Sequence, residues 1–223
     1  MKKYLLFILS IVLIACNSEQ GSLNEKRIYN NYVYNSSVSD SLNDFDGVFN
    51  KTRIELEFEF GRKANSCKTY KKFIKTSQVK EGVNNFSVKS EYLLCDALIL
   101  LDKKTYISHN AKTSEIDLLA GKLDLRSFPS SLRPRLDDKN MTLAKIAGND
   151  LLVNGNHVIY ETADWYYKIE LIAKTDINGN QKNDWLLWFS DESKAGNYRG
   201  YQTLIVYDVG QQDHLISAQI FPE

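Results

Sequence analysis

Proline, histidine, cysteine and methionine are all scarce, with three, three, three and two copies in 223 residues. The prolines stand at 129, 134 and 222, which excludes a proline-rich low-complexity chain and leaves long stretches free to form helix or strand. The histidines, His109, His157 and His214, are far apart, and no two-histidine motif of helical spacing occurs. No Gly-x-Ser-x-Gly elbow, phosphate loop or dinucleotide fingerprint is found. Catalysis is therefore a poorer expectation than binding or structural work. Charge of neither sign is in excess, at 28 basic and 28 acidic residues, and no basic stripe points to nucleic acid. Long hydrophobic runs are absent too: the apolar stretch over residues 4–14 is well short of the roughly 20 needed to span a bilayer.

That short run follows Lys2 and Lys3 and is closed by Leu13-Ile14-Ala15-Cys16, the pattern of a signal peptide over 1–15. Leu-x-Ala-Cys resembles the lipobox of bacterial lipoproteins. The resemblance implies cleavage before Cys16, diacylglycerol on its sulfur and acylation of its amino group, a palmitate-class modification. Two or more acyl chains make a stable anchor where one does not. Asn17 is not the Asp that marks inner-membrane retention in enteric bacteria, so the resemblance implies a lipid-anchored cell-envelope protein on the outer membrane, facing the periplasm or the surface. Removing 1–15 takes away two lysines and no acid, and 26 basic against 28 acidic residues leave a mature net charge of about −2.

With Cys16 assigned to lipid, Cys67 and Cys95 remain as an even pair in an oxidising compartment, which is most simply one disulfide. Residues 16–31 begin with the lipobox cysteine, are otherwise mostly Ser, Gln, Gly, Asn and charge, and read as a flexible tether. The remainder, 32–223, reads as a single α+β domain with a possible internal boundary near 126–140, where Pro129, Pro134 and the arginines 126, 133 and 135 fall.

Residues 53–60 alternate strictly, with Ile54, Leu56, Phe58 and Phe60 on one side and three glutamates on the other, which predicts a half-buried strand. Residues 67–74 are expected to return antiparallel to it, bringing Lys71, Lys72 and Lys75 to the glutamates. Residues 90–103 predict a helix with Leu93, Leu94, Ala97, Leu98 and Leu101 on one face, and 113–121 a shorter one. From 143 onward the expectation is an antiparallel meander. It has turns at Asn154-Gly155, at 176–184 and at 195–197, and Trp165, Tyr167, Ile169, Leu171 and Ala173 share one face of its longest strand.

The loop Asp176-Ile-Asn178-Gly179-Asn180-Gln-Lys182-Asn-Asp184 presents side-chain oxygens at positions 1, 3, 5 and 9. It resembles the calcium loops of EF-hands and, joining strands, those of FG-GAP/VCBS-type repeats. The resemblance implies Asp176, Asn178, Asn180 and Asp184 as calcium ligands with the Lys182 carbonyl as the main-chain donor. Gln181 stands where those loops carry glycine. The other reading of the same residues is a hairpin turn at Asn178-Gly179.

Three functions are open on this basis. The first is an envelope protein that binds a protein or glycan partner, with calcium ordering the loop. The second is a periplasmic inhibitor or immunity-type lipoprotein. The third is an envelope glycan hydrolase with Trp165, Trp185, Trp188, Tyr198 and Tyr201 lining a sugar cleft, beside the adjacent carboxylates Asp191 and Glu192.

Overall fold

The computed structural model describes residues 32–102, 114–210 and 214–222. The expected signal peptide, lipobox with Cys16 and tether fall on residues 1–31, outside the described residues. The class is α+β, with six helices, two strands in a small hairpin and a six-stranded antiparallel sheet among the described residues. Helices α1 (Ser36–Asn43) and α2 (Phe45–Asn50) lead into strands β1 (Leu56–Glu57) and β2 (Lys63–Ala64), then α3 (Cys67–Phe73) and the long α4 (Val83–Leu101). Helices α5 (Glu115–Lys122) and α6 (Leu143–Ala147) precede the meander. Its strands are β3 (Leu151–Asn154), β4 (His157–Glu161), β5 (Trp165–Thr175), β6 (Asp184–Ser193), β7 (Arg199–Val206) and β8 (Gln219–Phe221), in that spatial order.

The sheet separates two apolar cores. On one face Leu186, Ile205, Ile172 and Ala173 pack with α4 residues such as Leu98 and Leu101 and with Leu56, Phe58 and Tyr70. On the other, Tyr167, Ile169, Leu171, Trp185, Leu187, Phe189, Leu204 and Val206 pack with Leu119, Leu125, Phe128, Leu132 and Leu143. Both faces of the sheet's middle are thus covered, which is why β6 begins with four consecutive buried residues where a one-sided strand would alternate.

A bulge at Ile172 shifts the register between Leu171 and Ala173 and reverses the side-chain parity of β5. Leu171 pairs with Leu187 before it, and Ala173 with Leu186 after it. Ala173 therefore joins the α4 core, opposite to the face shared by Tyr167, Ile169 and Leu171. The next residue, Lys174, is turned to α5, where its ammonium meets Glu115, whose other oxygen accepts from the Tyr34 hydroxyl at 2.8 Å.

The N-terminal half departs from its alternation. Within 53–60 only Leu56 and Glu57 pair as strand, against Ala64 and Lys63, because Phe60 and Gly61 both take positive φ and reverse the chain at once. Leu56 and Phe58 are buried, whereas Ile54 and Phe60 are 59% and 91% exposed. Residues 67–73 form a helix and not the returning strand. Ser66 accepts from the Thr69 N–H while Thr69 Oγ1 accepts from the Ser66 N–H, a reciprocal cap that starts a helix. Cys67, Tyr70 and Ile74 then fall on one buried face at helical spacing, with Lys68, Lys71 and Lys72 outside. Glu55 and Glu57 instead pair with Lys63 and Lys80, at 2.6 and 3.0 Å.

Helix α4 begins at Val83, seven residues before Ser90, whose hydroxyl donates to the Ser87 carbonyl inside the helix. Cys67 and Cys95 form a disulfide, with Cα atoms 4.9 Å apart, joining α3 to α4. Closing a loop of 28 residues contributes roughly 3–4 kcal/mol on the chain-entropy account. Residues 143–147 are also helical and not part of the meander, capped by the Thr142 hydroxyl on the Lys145 N–H. The segment around Pro129 and Pro134 buries Phe128 and Leu132 in the second core. No described helix is long and apolar enough to cross a membrane.

Candidate functional site

The loop between β5 and β6 is closed by its own hydrogen bonds. Asp176 Oδ1 accepts from the Gly179 and Asn180 N–H groups at 2.6 and 3.0 Å, and Oδ2 from Gln181 at 2.8 Å. Asn178 Oδ1 accepts from the Asn180 N–H, and Asn180 Oδ1 from the Lys182 N–H. Gly179 and Gln181 both take positive φ, so the turn is made at two separate places. Asp184 is fully buried; its Oδ2 accepts from Ile177 and Asn178 and its Oδ1 from the Asp208 N–H. Burial raises the Asp184 carboxyl above its ordinary range and the Asp176 charge adds to this, outweighing those three N–H donors.

The oxygens of Asp176, Asn178, Asn180 and Asp184 that a calcium ion would take are thus all aimed at main-chain amides, and the Lys182 ammonium is paired 2.7 Å from Asp208. No group of three or more His, Cys, Asp or Glu among the described residues is placed to hold a metal ion. The loop is a connection between β5 and β6 closed by side-chain oxygens on main-chain N–H groups.

The five aromatic residues grouped in the sequence do not form one cleft. Trp165 makes an edge contact with Tyr198 and stacks near Tyr167, which stacks on Tyr160. Trp185 is fully buried in the core behind them. Trp188 packs against the opposite core, and Tyr201 lines a groove on that side. Asp191 and Glu192 diverge as neighbours on a strand must. Asp191 is buried and accepts from the Ser131 hydroxyl and N–H, both at 2.6 Å, fixing the proline-bounded segment onto the sheet. Glu192 faces Arg199 and Tyr201. They offer no facing carboxylate pair.

A different cluster, which sequence reading missed, lies under α4. Asp96 has no exposed surface, yet its Oδ1 accepts from the Tyr70 hydroxyl at 2.7 Å. Its Oδ2 accepts from the Thr203 hydroxyl at 2.8 Å and from the Lys89 ammonium at 3.1 Å. Lys89 also donates to the Tyr70 hydroxyl and lies 4.8 Å above that ring. Burial, reinforced by the Asp96 charge, pushes the Tyr70 phenol well above its usual value, so it stays a donor. The sequence did carry a signal: Asp96 interrupts an apolar helix face, and Lys89 precedes it by seven residues, on the same side.

Lys89 also lines a groove of about 700 Å³. Residues 74–79 form one side of it, with Phe60, and the β7–β8 edge of the sheet forms the other. Comparison with known proteins finds no matching family model, no similar curated protein and no similar solved structure.

Proposed function

We propose that this is a lipid-anchored cell-envelope protein that works by binding. Acylated Cys16 holds it to the membrane, residues 17–31 act as spacer, and the groove beside Lys89 receives the partner. The observation that carries binding is the groove itself: at about 700 Å³ it lies within the size range of ligand sites. Its wall contains an ammonium anchored on a fully buried carboxylate, a rigid polar element in a lining of mixed polar and apolar residues. The loop at 176–184 serves as a self-closed connection at the end of the sheet and lies outside the groove lining.

The test is site-specific photo-cross-linking in intact envelopes, with the photoreactive residue at Gln78, an exposed position in the groove lining. Binding predicts a discrete adduct from Gln78 and none from the same residue placed at Leu152, on the far edge of the sheet. One stoichiometric protein adduct assigns the inhibitor or immunity class. A carbohydrate adduct assigns glycan binding. No adduct specific to Gln78 overturns the groove as the working surface.

A further inference from the structure

One wall of the groove is an open strand edge, which narrows the ligand, an inference that rests on the binding reading above. Strand β7 pairs with β6 along its whole length, from Arg199 against Glu192 to Val206 against Trp185. On its other side β8 covers only Thr203 to Ile205, opposite Phe221 to Gln219. β8 ends at Phe221, and Pro222 follows. The β7 edge from Arg199 to Gln202 is therefore open among the described residues, and its Tyr201 and Gln202 line the groove.

Strand alternation decides which main-chain groups face this opening. The Ser193 N–H donates to the Tyr198 carbonyl at 3.1 Å, so these two residues form a hydrogen-bonded pair of the β6–β7 ladder. Along the unbroken register, Gly200, Gln202 and Leu204 turn their N–H and C=O groups to β6, and Arg199, Tyr201, Thr203 and Ile205 turn theirs away. Thr203 and Ile205 are the residues that meet Phe221 and Gln219 in β8. Arg199 and Tyr201 are left holding out a donor and an acceptor each, about 7 Å apart along the strand, with no described strand to take them.

The facing wall is placed to contact side chains. Tyr201 lies on the same face of β7 as Thr203, whose hydroxyl meets Asp96 of α4. Ile74 and Val79 pack with the core on that side, and between them run Lys75, Thr76, Ser77 and Gln78. Phe60 stands at the mouth, 91% exposed and at φ 60°, without core packing to compensate the backbone strain. A single anion cannot answer both main-chain pairs, and an aliphatic chain answers neither. An extended main chain carries a donor and an acceptor at the same two-residue repeat. We propose that the groove takes an extended peptide segment of a protein partner, added to the sheet as a strand antiparallel to β7 beyond the end of β8. The two peptide residues opposite Arg199 and Tyr201 make the main-chain bonds and turn their side chains to the α4 side, toward Phe60 and Val79, while the residue between them points to the other face.

The test is selection of a random twelve-residue peptide library, displayed on phage, against the full-length acylated protein in lauryldimethylamine oxide micelles, followed by an N-methyl scan of the selected peptide. Saturable binding is expected. N-methylation at two alternate positions should each weaken it tenfold or more, equivalent to at least about 1.4 kcal/mol, and methylation of the residue between them should leave it unchanged. Hydrogen exchange at the Tyr201 amide should slow in the complex. Phe60→Ala should weaken binding roughly tenfold, and Leu152→Ala, on the far edge of the sheet, should not. Phe60 is exposed, so its variant tests the ring without disturbing the core. No selected peptide, N-methyl sensitivity without alternation, unaltered exchange at Tyr201, or equal affinity of wild type and Phe60→Ala overturns the proposal. If the peptides fail while Gln78 gives a specific adduct in envelopes, strand addition falls and the binding reading stands. If both fail, both fall.

Discussion

Thr203 and Asp96, 107 residues apart, meet with the β7 hydroxyl 2.8 Å from a carboxylate oxygen in the middle of α4. This contact, with those of Tyr70 and Lys89, locks the helical layer to the sheet through a carboxylate that has no exposed surface. Thr203→Val removes one hydrogen bond to a charged group and should cost about 1.5–3 kcal/mol. Asp96→Ala should cost more, about 3–5 kcal/mol, because it leaves the largely buried Lys89 without a counter-charge. Urea titrations of the two variants check the order. An Asp96→Ala variant within about 1 kcal/mol of wild type would show that the network does not hold the layers together.

The acid limb of stability should depend on Glu170. It accepts from Asn35 at 2.7 Å and pairs with Lys168 at 2.6 Å, with Asn156 at 3.4 Å. Burial alone would raise its carboxyl, but the Lys168 ammonium and the two amides outweigh it and hold the pKa below the ordinary 4.5. A carboxyl depressed in the folded state adds stability above its unfolded value and loses it as pH falls through the folded one. Unfolding free energy should therefore drop between roughly pH 5 and pH 3, and Glu170→Gln should flatten that slope. An identical slope in the variant would exclude Glu170 as a contributor.

Phe60 should show stability and binding moving in opposite directions. Phe60→Gly relieves the left-handed strain, worth about 1–2 kcal/mol, against the entropy of glycine, about 0.5–1 kcal/mol, for a net gain of about 0.5–1 kcal/mol. Ligand affinity should fall in the same variant. A destabilised Phe60→Gly protein would mean that the ring supports the fold after all.

Much of the C-terminal half was legible, and the reasons are local. Tyr167, Ile169 and Leu171 share one face of β5 and Trp185, Leu187 and Phe189 one face of β6, as their spacing marked, and Gly155, at φ 57°, makes the β3–β4 turn where Asn154-Gly155 marked it. The bulge at Ile172 was not legible, because an extra residue in a run of aliphatics leaves no trace in composition. In the N-terminal half, Ile54 and Phe60 mimic a strand face although only Leu56 and Phe58 are buried. The Ser66–Thr69 cap was hidden by having threonine at its fourth position in place of Glu or Gln. The disulfide followed from counting cysteines. The Lys89 cluster did not follow from any motif, because its four members come from three distant elements.

The 176–184 loop should be indifferent to calcium. Its side-chain oxygens already serve main-chain N–H groups, and only Asp176 and Asp184 of the nine residues are acidic, so the loop should stay unoccupied at millimolar calcium. The melting temperature in several millimolar calcium should match that in EDTA to within about a degree. A rise of several degrees that Asp184→Ala abolishes would reinstate the loop as a cation site.

The anchored state is tested most directly by Cys16→Ser in the full-length protein, with metabolic labelling by an alkyne fatty acid and detergent phase partition. The account predicts that the wild-type chain takes the label and enters the detergent phase, while Cys16→Ser, folded and with Cys67–Cys95 intact, takes none and stays aqueous. Continued labelling and membrane partition of the folded variant would contradict it.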